Sequence, residues 1–563
     1  MKHPSAPLLI AVILFSNVVH ATGIVADPVV LAEAQRAWGV ADAQLQRTLA
    51  YLDAIEPAGL YYPQFTENEA KEDRAEYVHG EWIITKEGGG TFWARGALPG
   101  MLFLLADRES DPVRRQALKD EAIRWATPIL GFSGGDMSMN NLFVLRPWYH
   151  AAEDLSEREA AAGYLRQGAE ILATPYDRAT DTGNFHEDIG IMGYRRKADR
   201  TDNQYYFHAF IDHTPNVEQL VWASRINPEV TEAADWRSKA LSHLNIISGT
   251  FGSNRNPGSA GTWQRSYWDW EESSPTYTQF LFNEAKQGHD DPTTWSRGQA
   301  WFVYGSSVAY AYTQDESLLP AVKEQLDFYL DHLPDRFPGD LRRQGKMVPS
   351  WDFDYALYGG TDPSEPDYAI PQPDTEVDTS AGAMALAGIL QLVAALPDGD
   401  PDRARYLSDA EAILLELCGG EYLCDASDPE LSILRHGCYH HSRCAVYPGP
   451  NEDNGLIWGD FFFVWALWCY LDLTEDKSDA LETLRIDRDT SEAATLAIRY
   501  TRPVGSLPFG FRLEHSADME TWEALSPMEE NVVPAFDGTE SVELLLEPGS
   551  AEWGGQSFIR LVR

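Results

Sequence analysis

The chain has 563 residues, of which 44% are hydrophobic, 23% charged and 12% aromatic, a composition that excludes a disordered chain and allows a large core. That length exceeds what one core usually spans, so one large domain with a smaller companion is expected. A formal charge of -43 excludes nucleic acid as a partner, because phosphate recognition needs clustered Lys and Arg, and favours solubility in salty surroundings.

The predicted elements follow in chain order. Residues 1–21 read as an export signal: Met-Lys-His, an apolar run from Ala6 to Val19, then Val19-His20-Ala21 with cleavage after Ala21. The run is too short to span a bilayer comfortably and no later stretch resembles a membrane span, so a secreted or periplasmic protein is expected. Residues 22–473 read as helical. Ala161, Leu165, Ala169 and Leu172 recur at the spacing of one buried helix face, as do Ala410, Ile413, Leu414 and Leu417. The stretch from Ala381 to Ala395 is small and aliphatic throughout, as for a helix packed on several sides. Helices arrive in pairs between loops rich in Gly, Pro, Asp and Asn, the pattern of a toroid of helical hairpins. Residues 474–483 form a polar linker. Residues 484–563 alternate like short strands, for example Thr495–Thr501, Phe509–His515, Ser541–Leu546 and Ser557–Val562, and predict a small all-β sandwich-like accessory domain. Trp522 or Trp553 there could give a glycan or surface contact; a stability or attachment module is the plainer alternative.

Four segments carry the candidate chemistry. They are Thr91-Phe-Trp-Ala-Arg-Gly-Ala-Leu-Pro-Gly100, Gly134-Gly-Asp-Met-Ser-Met-Asn-Asn141, Phe210-Ile-Asp-His-Thr-Pro-Asn-Val-Glu-Gln-Leu220, and Gln287 through Trp301. Asp136 and Asp212 each precede a predicted helix, and simple N-capping would explain either alone. In a toroid of hairpins, however, the loops entering inner helices converge. Two Asp residues facing each other across a cleft raise the proton affinity of one, which with aromatic walls is what acid–base chemistry on a sugar needs. The 18 Trp and 25 Tyr supply such walls, although large helical proteins also bury many aromatics.

Other groups are weighed against plainer readings. The five cysteines lie late, with Cys418–Cys424 and Cys438–Cys444 the simplest disulfide pairing, cross-pairing equally open, and Cys469 a buried thiol. His436, His440 and His441 beside Cys438 and Cys444 could bind zinc, but disulfides with loop histidines are preferred, so no metal or cofactor is expected. The acidic loops at residues 398–402 and 451–455 lack a full calcium pattern. A basic run, Arg195, Arg196, Lys197 and Arg200, is either a solvated loop or a contact for a sulfated or acidic neighbouring sugar.

Trp295-Ser-Arg-Gly-Gln-Ala-Trp301 with Tyr304-Gly305 closely resembles the signature of the unsaturated glucuronyl hydrolases, glycoside hydrolase family 88. Ile211-Asp-His-Thr-Pro-Asn216 resembles that family's segment bearing the catalytic Asp. Val348-Pro-Ser-Trp-Asp-Phe-Asp354, Asp378-Thr-Ser-Ala381, Ile433-Leu-Arg-His-Gly and Ile457-Trp-Gly-Asp-Phe-Phe462 follow in matching order. The resemblance covers roughly residues 90–470 and implies an all-α (α/α)6 barrel acting on an acidic oligosaccharide. It implies that Asp212 donates a proton to C4 of a 4,5-unsaturated uronic acid and activates the water that attacks C5. Asp136 would hold ring hydroxyls and tune Asp212. Trp93, Trp295 and Trp301 would wall the terminal subsite, with Asn216, Gln287, Arg297 and Gln299 as polar contacts and Arg297 binding the uronate. The sequence departs from the family at Gly135, where a His usually stands, and in Ser266-Tyr-Trp-Asp-Trp-Glu271, where another is expected. An unsaturated rhamnogalacturonyl hydrolase, or a non-catalytic glycan-binding barrel, are the alternatives.

Overall fold

The computed structural model describes residues 26–474 apart from 56–58, 68–77, 87–91, 132–137, 154, 198–203, 228, 253–260, 290, 292, 337–344, 355–376, 398 and 442–452, together with strand segments at 10–12 and within 484–562. The chain divides into two compact units. One comprises Ala26–Ala151 and Glu159–Asp472; the other comprises Met1–Val25, Ala152–Arg158 and Leu473–Arg563.

Among the described residues the helices are α1 (Pro28–Asp53), α2 (Ala97–Asp107), α3 (Pro112–Ala126), α4 (Met139–Ala151), α5 (Leu155–Ala173), α6 (Val217–Ile226), α7 (Val230–Gly252), α8 (Ser296–Thr313), α9 (Leu319–Asp331), α10 (Thr379–Ala395), α11 (Arg403–Leu417) and α12 (Ile457–Thr474). Their burial alternates. Helix α2 is buried at every position from Ala97 to Ala106, and α10 from Thr379 to Ala395, as their small and aliphatic sequences require. Helices α4, α8 and α12 are likewise enclosed on nearly all sides. The odd-numbered helices bury one stripe, in α1 through Val30, Ala34, Ala37, Ala41, Leu45 and Leu52, and in α11 through Tyr406, Ala410, Ile413, Leu414 and Leu417. An inner ring of helices covered by an outer one produces this alternation. Contacts run along the inner ring from α2 to α4 and from α6 through α8 to α10, and between layers from α2 to α3, α6 to α7, α8 to α9 and α10 to α11. Helix α12 joins the ring from both sides, with Phe461 4.7 Å from Phe143 of α4 and Cys469 accepting from Gln391 of α10 at 3.1 Å. Close approach depends on glycine at one crossing: a Cβ on Gly388 would stand 2.8 Å from Cα of Tyr304, so α10 lies directly on α8.

A buried polar group ties four inner helices together. Arg146 of α4 bonds Glu218 of α6 at 2.7 Å and Gln391 of α10 at 3.0 Å, and the Tyr304 hydroxyl of α8 donates to Glu218 at 2.7 Å. Because each of these side chains has a partner, the charge pair is tolerated in the core.

The larger unit also contains strands that the sequence analysis did not anticipate. Tyr194–Lys197, Tyr205–Phe210, Arg265–Trp268 and Phe280–Glu284 form an antiparallel four-stranded sheet in that order, inserted between α5 and α6 and between α7 and α8. Its aromatic-rich sequences suit a half-buried pleated surface. In its register Phe210 faces Arg265, and Arg265 faces Glu284. The basic run therefore begins on a strand; Arg200 lies outside the described residues.

In the smaller unit, Leu484–Arg488, Leu496–Pro503, Thr539–Leu546 and Glu529–Pro534 make one four-stranded sheet, and Ile10–Val12, Ser557–Val562, Arg512–Ser516 and Glu523–Leu525 another. Ile10–Val12, inside the run read as an export signal, pairs in parallel with Ser557–Ile559. Phe509, Trp522 and Trp553 lie outside the described residues.

The cysteine expectation needs correcting. Cys418 and Cys424 are free, buried thiols, pushed up to about 12 by burial, rather than a disulfide. Cys418 ends α11, whereas Cys424 is tied by its backbone N–H to Ile433, and sequence proximity alone could not reveal that divergence. Cys469 is a buried thiol, and Cys444 lies outside the described residues. Among the described residues no helix is long and apolar enough to cross a membrane.

Candidate active site

The strand Tyr205–Phe210 runs directly into a 3-10 helix, Ile211–Asn216, which continues as α6. Asp212 is therefore not the N-cap of α6. It is the second residue of the tighter turn, and Asn216 holds the cap position. Pro215 has no N–H to enter an α-helical ladder, and the segment is pressed onto α8 where Gly305 leaves room. A Cβ there would stand 2.7 Å from the carbonyl carbon and oxygen of Thr214. The glycine of the Tyr304-Gly305 pair thus fixes where Asp212 points.

Asp212 is half-buried and lines a cavity of about 190 Å³. Trp93, Trp301, Phe210, Tyr439 and Met139 supply apolar wall, and Gln287, His440, Arg196, Arg265 and Arg297 supply polar groups. Trp93 packs edge-on against Trp301 at 5.9 Å and lies 5.0 Å from Trp458. Such a mixture of flat aromatic faces and a few convergent polar groups is the ordinary make-up of a small-molecule site. Gln287 is positioned by Gln264, whose Oε1 accepts from the backbone N–H of Gln287 at 2.7 Å and whose amide donates to the Gln287 side chain. His440 lies 3.5 Å from Gln287; burial, then the nearby Arg297, push its imidazole down to about 3, so it is neutral at working pH.

Several expected contacts sit elsewhere. Arg297 reaches the cavity wall, but its guanidinium donates to Asp378 at 2.6 Å, to the carbonyl of Tyr439 at 2.8 Å and to that of Cys438. Asp378 in turn caps α10 by accepting from the N–H and hydroxyl of Ser380. The arginine thus fastens the loop before α10 and the segment around residue 438. Trp295 does not line the cavity; it lies beneath Arg297, whose guanidinium carbon is 4.6 Å from its ring. Gln299 faces away, donating to the Gln325 carbonyl at 2.9 Å and accepting from Thr262 N–H at 2.8 Å. Asn216 is buried and accepts from Gln219 at 3.2 Å. Asp136 lies outside the described residues; Met139, three positions later, lines the cavity with Asp212.

Other residues enter that sequence reasoning left aside. Tyr439 and His440 come from the segment read as a disulfide and histidine loop. Its three histidines diverge: His440 faces the cavity, His441 stacks on Trp351 at 4.3 Å, and His436 bonds Asp453. Among the described residues no group of three or more His, Cys, Asp or Glu is placed to hold a metal ion. Arg265 precedes the stretch searched for a family His; its strand position opposite Phe210 was not visible in the sequence.

No protein-family model matches the chain. Among curated proteins it is 27% identical over 293 residues to an unsaturated chondroitin disaccharide hydrolase of Streptococcus pyogenes serotype M1, covering 52% of this chain and 60% of that protein. It is 28% identical over 258 residues to the unsaturated glucuronyl hydrolase of Bacillus sp. (strain GL1), covering 46% of this chain and 57% of that one. The chain is thus similar to proteins named unsaturated chondroitin disaccharide hydrolase and unsaturated glucuronyl hydrolase. The matches span about 60% of these relatives' length. Solved unsaturated glucuronyl hydrolases share the fold over a longer stretch. The Streptococcus agalactiae structure has a TM-score of 0.58 at 20% identity, covering 82% of this chain and 98% of its own. A heparin-specific one has a TM-score of 0.57 at 20% identity, covering 78% of this chain and 97% of its own. The helical unit is thus an α/α barrel, as those structures are.

Proposed function

We propose that this protein is a glycoside hydrolase that removes a 4,5-unsaturated uronic acid from the non-reducing end of lyase-generated oligosaccharides. The observation that carries the reading is Asp212, a carboxyl group facing an aromatic-walled, cation-rich cavity in a homologue of proteins named for this activity. Asp212 donates a proton to C4 of the C4=C5 bond and takes one from the water that adds to C5. The resulting C5 hemiketal opens to a ketone, and the exposed C1 hemiacetal collapses and releases the rest of the chain as an alcohol. The anomeric carbon is never attacked, so no glycosyl–enzyme intermediate forms. Asp136 serves as the partner carboxylate, holding ring hydroxyls. Trp93 and Trp301 support the flat half-chair of the unsaturated ring, and Gln287 contributes a polar contact. We further propose export from the cytoplasm, from the leader-like residues 1–21, and a sandwich-like accessory role for residues 484–563.

The test follows the loss of conjugated-uronate absorbance on unsaturated disaccharides from several polysaccharides. Asp212→Asn should lower kcat by about 10³-fold or more with binding retained, since a positioned acid–base group contributes roughly 10²–10⁴-fold. Asp136→Asn should be severely impaired as well. Full activity in Asp212→Asn, or faster turnover of saturated glucuronides, would refute the mechanism.

A further inference from the structure

We propose that Gln264, buried behind the cavity, is a positioning residue that dictates which way the Gln287 amide points and which nitrogen of His440 carries the proton. This wall of the cavity then offers hydrogen-bond donors to an acceptor oxygen of the sugar. The role in turnover rests on the hydratase reading above. The orientation is forced by groups that can only donate. Gln264 is 2% exposed, and one end of its carboxamide meets two backbone N–H groups, that of Lys286 at 2.9 Å and that of Gln287 at 2.7 Å. A backbone N–H has no lone pair to offer, so this end is the oxygen and the other end is the NH2. That NH2 meets the Gln287 side chain, whose facing atom is therefore its carbonyl oxygen.

The NH2 of Gln287 is left turned towards His440, 3.5 Å from Nδ1. An NH2 only donates, so Nδ1 accepts and holds no proton. Burial, then Arg297, keep the His440 ring neutral, and the single proton of a neutral imidazole then sits on Nε2. With Nδ1 engaged and Nε2 protonated, the ring has no lone pair with which to compete with Asp212 for a proton. It acts as a fixed donor, stacked on Tyr439 at 3.9 Å, in the cavity that Asp212 and Gln287 also line. The main chain of Gln264 serves the acid as well. Its carbonyl accepts at 2.8 Å from the N–H of Ile211, the residue before Asp212. One glutamine thus holds the Asp212 turn through its backbone and the Gln287–His440 pair through its side chain.

The experiment reads the tautomer by nitrogen NMR of histidine-labelled protein, with His440 identified by the signals lost in His440→Ala. The wild type should show Nδ1 bare and Nε2 protonated. Gln264→Glu keeps both bonds from the backbone N–H groups but, as a carboxylate, cannot donate to Gln287. The Gln287 amide should then reverse, its oxygen should face Nδ1, and the His440 proton should move to Nδ1. Gln287→Glu cuts the next link and should move the proton likewise, which keeps the test decisive if Gln264→Glu fails to fold. A wild-type ring protonated on Nδ1, or a tautomer unmoved in both variants, would overturn the assignment. In turnover of an unsaturated disaccharide, Gln264→Glu should lose about tenfold in kcat/KM, the effect of one hydrogen bond. In a Gln287→Met background, where the amide link is already gone, the same change should cost less than about twofold more. Equal losses in the two backgrounds would show that Gln264 does not act through Gln287 and would overturn the proposal. A wild type that hydrates no unsaturated uronide overturns the hydratase reading and leaves the tautomer result standing; an active one with its His440 proton on Nδ1 overturns this assignment alone.

Discussion

Arg297 and Asp378 form an ion pair whose side chains are 2% and 0% exposed, with both carboxylate oxygens and both terminal guanidinium nitrogens bonded to a partner. Removing one partner of such a pair leaves an uncompensated buried charge, which costs about 3–5 kcal/mol. Arg297→Met should therefore lower thermal stability by many degrees, and differential scanning calorimetry would detect it. A variant with the wild-type melting temperature and only a raised KM would return Arg297 to substrate binding. The motif around this residue was legible as a motif, but not the division of labour within it. Trp301, Gln287 and Arg297 line the cavity, and Arg297 also holds the segments at residues 378 and 438–439, whereas Trp295 and Gln299 pack behind it. Residue type and spacing give a helix face. Only the positions of Asp378 and of residues 438 and 439 decide where the guanidinium goes, and those arrive from 81 residues or more away along the chain.

At the level of elements, the 3-10 helix Ile211–Asn216 holds Asp212 in place because α8 offers a glycine beneath it. Gly305→Ala would put a Cβ 2.7 Å from backbone atoms of Thr214 that cannot swing aside. The turn must then move outward. Overpacking of this kind costs about 1–3 kcal/mol, and a displacement of about 1 Å at a catalytic group costs about 10²-fold in rate. Gly305→Ala should thus lose kcat by at least about tenfold while retaining its circular dichroism spectrum. Gly163→Ala is the control: it lies within α5 with nothing near the added methyl, so unchanged activity and slightly raised stability are expected. Normal kinetics in Gly305→Ala would mean that the turn is not fixed by α8. The helical elements themselves were readable, because the stripes in α5 and α11 and the uniform apolarity of α10 follow the 3.6-residue period. The inserted sheet was not. Its strands have four to six residues, are separated by helix or long loop, and Arg265-Ser-Tyr-Trp268 is buried along its whole length, so it shows no alternation of polar and apolar positions.

The whole molecule contains a stock of neutral histidines that binds its stability to pH. Burial pushes His243 and His440 down to about 3, helped by His213 and Arg297 respectively, and puts His208 well below the usual histidine range. In the unfolded chain each titrates near its ordinary value of about 6.5. Because the folded values are depressed, their contribution is fully present above about pH 6.5 and is lost as pH falls from there towards 3. Each extra proton bound by the unfolded state tilts stability by about 1.4 kcal/mol per pH unit. Acidification also relieves repulsion among the excess carboxylates of a chain at -43, which works in the opposite direction. A substitution separates the two effects. His243 accepts the Met192 N–H at 3.1 Å through Nδ1, a bond that a glutamine carbonyl can replace. Between about pH 7 and about pH 5, urea unfolding of the wild type should therefore lose about 2 kcal/mol more than that of His243→Gln. Parallel pH dependences for the two proteins would show that His243 is not held neutral in the folded barrel.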